Sequence, residues 1–259
     1  MNQNFRKVIS AAGLLCLCLL LVGCGQEAAD QQAEESGDRR GEHKLDPFTS
    51  IELSVQAPHV HLEVGEEYSI RYSLHSRETI KELEVRDGVL HFSTGLDPKW
   101  KPDGSSHEVV VTIPETAELE RVELRSTAGD VELTDRTVDE GILSSVSGNV
   151  SVRKLQSGRL EASSTSGDLV LEGAFDTVKG HSVSGFIELA GQVSAGAVLD
   201  TVSGEVRYEA PFGALTAESI GGVRLDGEKQ GSRLSLGSGE PAVELSSISG
   251  TIFVGTAEE

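Results

Sequence analysis

The residues of this 259-residue chain best suited to acid–base chemistry lie close together in sequence. They are Asp176, Lys179 and His181, with Glu172 and Glu188 on either side. Two carboxyl groups about 5 to 9 Å apart on a strand wall would suit glycosidic hydrolysis. If the chain is an enzyme, Asp176, His181 and Glu188 are its catalytic candidates. No HExxH, CxxC or GxSxG pattern accompanies them, and a solvated surface accounts for the same charges. His59 and His61 alternate to one side of a strand-like stretch, but two histidines without a third ligand make a poor metal site. Trp100 lies in the loop Asp97-Pro98-Lys99-Trp100-Lys101-Pro102. Its ring is suited to contact a sugar or a protein, or to fold back over an open sheet edge.

A second set of residues is defined by spacing. Ser147, Ser166, Ser184, Ser203 and Ser249 each directly precede a glycine, while Ser126, Ser145, Ser164, Ser182 and Ser247 stand three places before it. Stacked hydroxyls could offer a lattice to a sugar or to ice. Turn chemistry and solvation of the edge, with serine bonding its own backbone, are the better account of them. Asp130, Asn149, Asp168 and Glu205 directly follow the same glycines, with Phe186 interrupting them. A Ca²⁺ ion takes six to eight oxygen ligands. The Gly-Gly-x-Gly-x-Asp pattern of calcium-binding rolls is missing. Asp130 and Asp168, two coils apart, would stand about 10 Å from one another. No metal and no cofactor is expected.

These positions are set by a repeat. STAGDVEL, SVSGNVSV, STSGDLVL, SVSGFIEL and TVSGEVRY follow one another, then a looser ESIGGVRL and a closing SISGTIFV. From Gly129 the anchoring glycines Gly148, Gly167, Gly185, Gly204 and Gly221 arrive at steps of 19, 19, 18, 19 and 17 residues. Weaker echoes around Gly158, Gly196 and Gly213 fall half a period later. The closing stretch leaves its phase open, since Gly239 would serve as the main glycine with Gly250 as the half-step. After each main glycine apolar residues alternate, as in Val131 and Leu133, Val150 and Val152, or Leu169 and Leu171, which is strand periodicity. Such short strands cannot bury themselves, whereas stacked coils share one interior column. The expected fold is all-β, a parallel β-solenoid (β-helix) of about 19-residue coils with a β-rich N-terminal cap. Six or seven coils would stand about 30 Å tall, with glycine supplying conformational freedom at the corners. A sandwich of short hairpins is the alternative.

The N-terminus reads as an export signal over 1–23, with Arg6 and Lys7 followed by the apolar stretch from Val8 to Val22. Leu21-Val22-Gly23-Cys24 has the form of a bacterial lipobox, which makes Cys24 the site of lipidation and the lipid the attachment to the membrane. Residues 24–45 form a lipidated, disordered, acidic tether poor in large apolar residues. Residues 46–124 form the β-rich cap and 125–259 the repeats. Cys16 and Cys18 leave with the signal, so no disulfide is expected in the mature chain.

Acidic residues number 42 against 22 Lys plus Arg, a net charge of −20. Removal of Arg6 and Lys7 leaves 20 basic residues and a charge of −22. A nucleic-acid binder would carry the opposite sign, and a polyanion would be repelled. The phrases SxSGxVxL, with Val111-Thr112-Ile113-Pro114 upstream, resemble the bacterial DUF4097 family from Phe48 onwards. That resemblance implies a parallel β-helix-like fold at the cell envelope and an adhesin-like role inferred from architecture; it supplies no catalytic residues. The expected function is a surface-displayed, lipid-anchored, non-catalytic binding or scaffold protein. Its partner would be an envelope protein or a glycan, met through Trp100, Ser147, Ser166, Ser184 and Ser203. Two other readings are a carbohydrate-active enzyme working from the solenoid wall and an accessory or sensor protein of envelope stress.

Overall fold

Alternating apolar residues build every wall of the computed structural model, which describes residues 39–97 and 107–255. These residues all fall in the compact unit Gly37–Glu259. The first strands are β1 (Arg39–Lys44), β2 (Ser50–Val55), β3 (His59–Gly65), β4 (Ser69–Leu74), β5 (Glu78–Arg86), β6 (Val89–Leu96), β7 (Glu108–Pro114), β8 (Leu119–Ser126) and β9 (Val131–Thr134). Then come β10 (Thr137–Ser145), β11 (Val150–Ser164), β12 (Leu169–Ser182), β13 (Ile187–Thr201), β14 (Val206–Glu209), β15 (Ala214–Leu225), β16 (Glu228–Gly237), β17 (Ala242–Ser247) and β18 (Ile252–Gly255). No helix occurs among the described residues, and the fold is a parallel β-solenoid.

Stacking is continuous through one interior column. Val109, Val60, Val131, Val150, Leu169, Ile187, Val206, Ile252 and Val223 pair in that order, each with the next. All nine are buried, so each level hides its apolar face against its neighbours. The opposite wall runs from Phe92 through Leu53, Leu124, Leu143, Ala162, Gly180, Leu199 and Leu245 to Ala217. The small residues Ala162, Gly180 and Ala217 interrupt a run of large ones there. A Cβ on Gly180 would stand 2.8 Å from the Leu199 side chain, which is the interlocking expected of a close-packed interior. Nine levels, rather than six or seven, make a stack about 40 Å tall.

The additional levels come from the region read as a cap. β2 and β3 form a coil of their own, pairing in parallel with β8 and β9, and β6 and β7 form another outside it. An antiparallel set closes this end: β5 on β6, β4 on β7 and β1 on β4. Residues 39–44, assigned from composition to the disordered tether, therefore form β1. Asp87 and Gly88 both take positive φ between β5 and β6, the geometry of a type I′ hairpin. Gly95 and Leu96 end β6. Glu78 is fully buried at this end, where its carboxylate accepts the N–H of Gln56 at 3.1 Å and the hydroxyl of Thr94.

The other end departs from chain order too. β17 and β18 lie between the coil of β13 and β14 and the two halves of β15, parallel to both. β16 then pairs antiparallel with β15 along the outer edge. Gly250 consequently belongs to the main glycine column, directly over Gly204, whereas a Cβ on Gly239 would meet nothing within 4 Å. This resolves its phase against the half-step reading.

Candidate functional site

The corner that carries the S-x-S-G phrase is built from two ladders, and each assigns a role to residue types that the sequence left open. The first serine of the phrase is buried. Ser145 Oγ accepts the N–H of Gly148 at 2.9 Å and donates to the carbonyl of Gly129 at 3.0 Å. Ser164 bridges Gly167 and Gly148 at 2.9 and 3.0 Å, and Ser182 bridges Gly185 and Gly167 at 2.9 and 3.4 Å. Thr201 takes the same place above them, followed by Ser247 and Ser219, while Ser126 begins the ladder on the carbonyl of Pro58 at 3.2 Å. Each hydroxyl thus satisfies a buried donor in its own coil and a buried acceptor in the adjoining one.

The glycines are required by this same stacking. A Cβ on Gly148, Gly167, Gly185 or Gly204 would collide with the carbonyl of the preceding main glycine. None of these four has positive φ. Close backbone approach, not the conformational freedom expected from sequence, is the reason for glycine here.

The acidic and amide column forms the second ladder. Asp130 Oδ1 accepts the N–H of Asn149 at 2.7 Å, Asn149 Oδ1 that of Asp168 at 2.9 Å, and Asp168 Oδ1 that of Phe186 at 3.0 Å. His59 heads it, its Nδ1 accepting the N–H of Asp130 at 3.1 Å. His61 instead faces Glu63 at 3.3 Å. His59 and the acidic and amide column, the residues that suggested ion binding, are used in corner architecture. No cluster of three His, Cys, Asp or Glu side chains suited to a metal ion occurs among the described residues.

Ser147, Ser166, Ser184 and Ser203 are exposed on the outside of this corner, one per coil. The backbone ladder carries them: Ser147 N–H donates to the Thr127 carbonyl, Ser166 to Val146, Ser184 to Thr165 and Ser203 to Val183. Beside them runs a second outward column, Thr127, Val146, Thr165, Val183, Val202, Ile248 and Ile220. Neither Trp100 nor Cys24 lies within the described residues.

The acid–base candidates do not come together. Asp176 accepts a hydrogen bond from Ser194 Oγ at 2.6 Å, in a shallow dent of about 370 Å³ shared with Asp139 and Gly158. Glu188 is registered between Val170 and Arg207 on another wall, 3.8 Å from the Arg207 guanidinium. His181 sits on a third face, where its Nδ1 lies 2.6 Å from Asp200 Oδ1. The expected trio is therefore divided among three surfaces, because a period near 19 brings residue i next to i+19, not i+5 or i+7.

That period also assembles a row that the sequence reading missed: Ser163, His181 and Asp200 are register neighbours on consecutive coils. The types match a nucleophilic triad, but the geometry does not. No hydrogen bond joins Ser163 to His181 among the described residues, and the His181 and Asp200 side chains are 52% and 44% exposed. The strand N–H groups around them serve the parallel ladder, which leaves no pair of donors to hold an oxyanion. Along the same wall Arg121, Glu123, Arg125, Glu140, Arg159, Glu161 and Lys179 form a chain of ion pairs. Burial pushes the Glu123 carboxyl up, and hydrogen bonds from Arg125 and Arg121 outweigh this and hold it below the usual range. The hydrogen bond from Arg159 lowers Glu161 in the same sense.

The class of protein is settled by sequence comparison. The family model of the Toastrack DUF4097 proteins matches residues 48–258. The chain belongs to that family. No curated protein matches it. Among solved structures it is similar to a "putative adhesin" from Bacteroides fragilis NCTC 9343, with 13% identity over 85% of this chain and 97% of that one and a TM-score of 0.46. It is also similar to a "putative lipid binding protein" from Parabacteroides distasonis ATCC 8503, with 17% identity, coverage of 86% and 98%, and a TM-score of 0.45. A "putative cell adhesion protein" from Clostridium sporogenes ATCC 15579 matches at 12% identity, coverage of 85% and 100%, and a TM-score of 0.32.

Proposed function

We propose that this protein is a surface-displayed, lipid-anchored, non-catalytic binding or scaffold module of the bacterial cell envelope, adhesin-like in its action. The observation that carries the reading is the dispersal of Asp176, His181 and Glu188 over three faces. An enzyme needs ionisable groups converging on a concave site. Binding falls to the outward corner, where Ser147, Ser166, Ser184 and Ser203 repeat one coil at a time, and to the segment that holds Trp100. The lipid on Cys24 holds the module at the outer face of a membrane, and its partner is an envelope protein or a glycan.

Two measurements test this reading. Cys24→Ser is expected to abolish lipid attachment and signal cleavage; unchanged membrane retention and mature mass would reject the anchor. The full-length protein is expected to show no turnover on cell-wall glycans or acidic polysaccharides. Turnover that disappears in Asp176→Asn or His181→Ala would replace the binding module with an enzyme.

A further inference from the structure

The carboxylate and amide ladder at the corner stops at one residue. Asp130, Asn149 and Asp168 each cap the N–H one coil further on. Phe186 occupies the next place, and its ring has no acceptor to offer the N–H of Glu205. Gly185 and Gly204 are 19 residues apart, the same step as between Gly148 and Gly167. An asparagine would therefore fit where the phenylalanine stands. Instead the protein forgoes a local hydrogen bond and leaves an aromatic ring 37% exposed. Departures of this kind from local consistency, without a structural gain, concentrate at functional positions.

The surroundings of Phe186 select the chemistry of a ligand. Seven large hydrophobic residues are exposed among the described ones, and five of them, Val146, Phe186, Val202, Ile220 and Ile248, belong to this corner. The two outward columns beside the ring, Thr127 to Ile220 and Ala128 to Ser249, contain no charged residue in any coil, although a quarter of the chain is charged. Contiguous apolar surface rimmed by polar groups marks interaction sites. Asp168 and Glu205, one coil to either side of the ring, repel an anionic ligand. The Asp168 carboxylate is already engaged by the Phe186 N–H, so it is not a free counter-charge for a cation. The exposed hydroxyls of Ser166, Ser184 and Ser203 recur once per coil beside the ring, a regular spacing that suits a ligand with a repeating unit rather than a single buried anchor.

We infer that Phe186, with the hydroxyls of Ser166, Ser184 and Ser203, binds a sugar ring of an uncharged glycan lying along the corner. The apolar C–H face of the sugar rests on the phenyl ring, and its hydroxyls exchange hydrogen bonds with serines placed one coil, about 4.8 Å, apart. This assignment rests on the binding-module reading and names the ligand class for it.

The test is a titration of the full-length protein with cellohexaose, maltohexaose, mannohexaose, xylohexaose and chitohexaose, with heparin and polylysine as charged comparisons. At least one uncharged oligosaccharide is expected to bind with an affinity insensitive to salt. Phe186→Ala is expected to weaken that binding at least tenfold. Phe186→Asn is expected to weaken it equally while raising Tm, because the introduced amide would cap the Glu205 N–H as Asn149 caps that of Asp168. A fall in Tm with binding intact would show the ring to be a structural element only and overturn the inference. Binding confined to heparin or polylysine, or to none of the probes, would overturn it also. Saturable retention of an envelope protein that survives Phe186→Ala would sink the glycan assignment while leaving the binding module standing; turnover of a probe would remove both.

Discussion

The middle of the solenoid and its two ends obey different rules. From β8 to β14 each coil lies next to the coil that follows it in the chain. At the N-terminal end β2 and β3 sit inside β6 and β7, and at the C-terminal end β17 and β18 sit inside β15 and β16. Both ends thus place a segment near a chain terminus between two other coils. The outermost position goes to strands covered by antiparallel neighbours, β4 and β5 at one end and β16 at the other. A solenoid that simply ran out would expose two flat parallel edges able to recruit another chain. Intercalation gives the segments near the termini hydrogen-bonded neighbours on both sides. The antiparallel covers carry charge on the last edge, as in Glu228, Lys229 and Arg233 of β16.

The contrast breaks most visibly under a buried charge. Val150→Asp would place an unpaired carboxylate in a column where its neighbours Val131 and Leu169 are completely buried. The expected loss is comparable with a domain's whole stability of roughly 5–15 kcal/mol, seen as failure to unfold cooperatively in circular dichroism. Leu236→Asp on β16, where the side chain is only partly buried, is expected to cost less and to leave the middle coils protected in hydrogen exchange. Equal damage from both would mean that the ends are not separable from the middle.

A smaller effect sharpens the roles of the two serines in one phrase. Ser164→Ala strands the Gly167 N–H and the Gly148 carbonyl, both in the buried ladder, at a cost of about 1–3 kcal/mol. Ser166→Ala, on the exposed column, should change stability by less than about 0.5 kcal/mol. Denaturant unfolding of the two variants measures the difference, and a larger loss for Ser166 would contradict the ladder.

The least effect at neutral pH is at the junction of the two regimes. Tyr208 on β14 packs between Leu189 of β13 and Val254 of β18 and donates to the Pro211 carbonyl at 2.9 Å. Burial pushes its phenol up to about 12, against about 10 in an unfolded chain. The folded state therefore keeps a proton that the unfolded state gives up. The contribution of this group is complete below about pH 10 and is lost as pH rises towards 12. Tyr208→Phe should remove that part of the alkaline loss of stability; an identical pH profile in the variant would show that the phenol is not held neutral by the fold.

The S-x-S-G period and its alternating partners were sufficient, from sequence alone, to determine the solenoid and the inward columns. Strands too short to bury their alternating apolar residues alone, recurring at a fixed period, hide them by stacking one coil on the next. The same regularity could not tell one serine of the phrase from the other, since both are small, polar and equally spaced. Only stacking puts the first against two backbone groups and the second in water. Nor could it show that Asp176 and His181, five residues apart, face different surfaces, or that Ser163, His181 and Asp200, 18 and 19 apart, share one. Neighbours in a solenoid are decided by coil length, to the residue. The order of the end coils was decided by tertiary structure for another reason. Parallel strands of similar apolar pattern fit any level of the stack equally well, and the choice among levels falls to the covering of the open edges, which no single phrase of the sequence encodes.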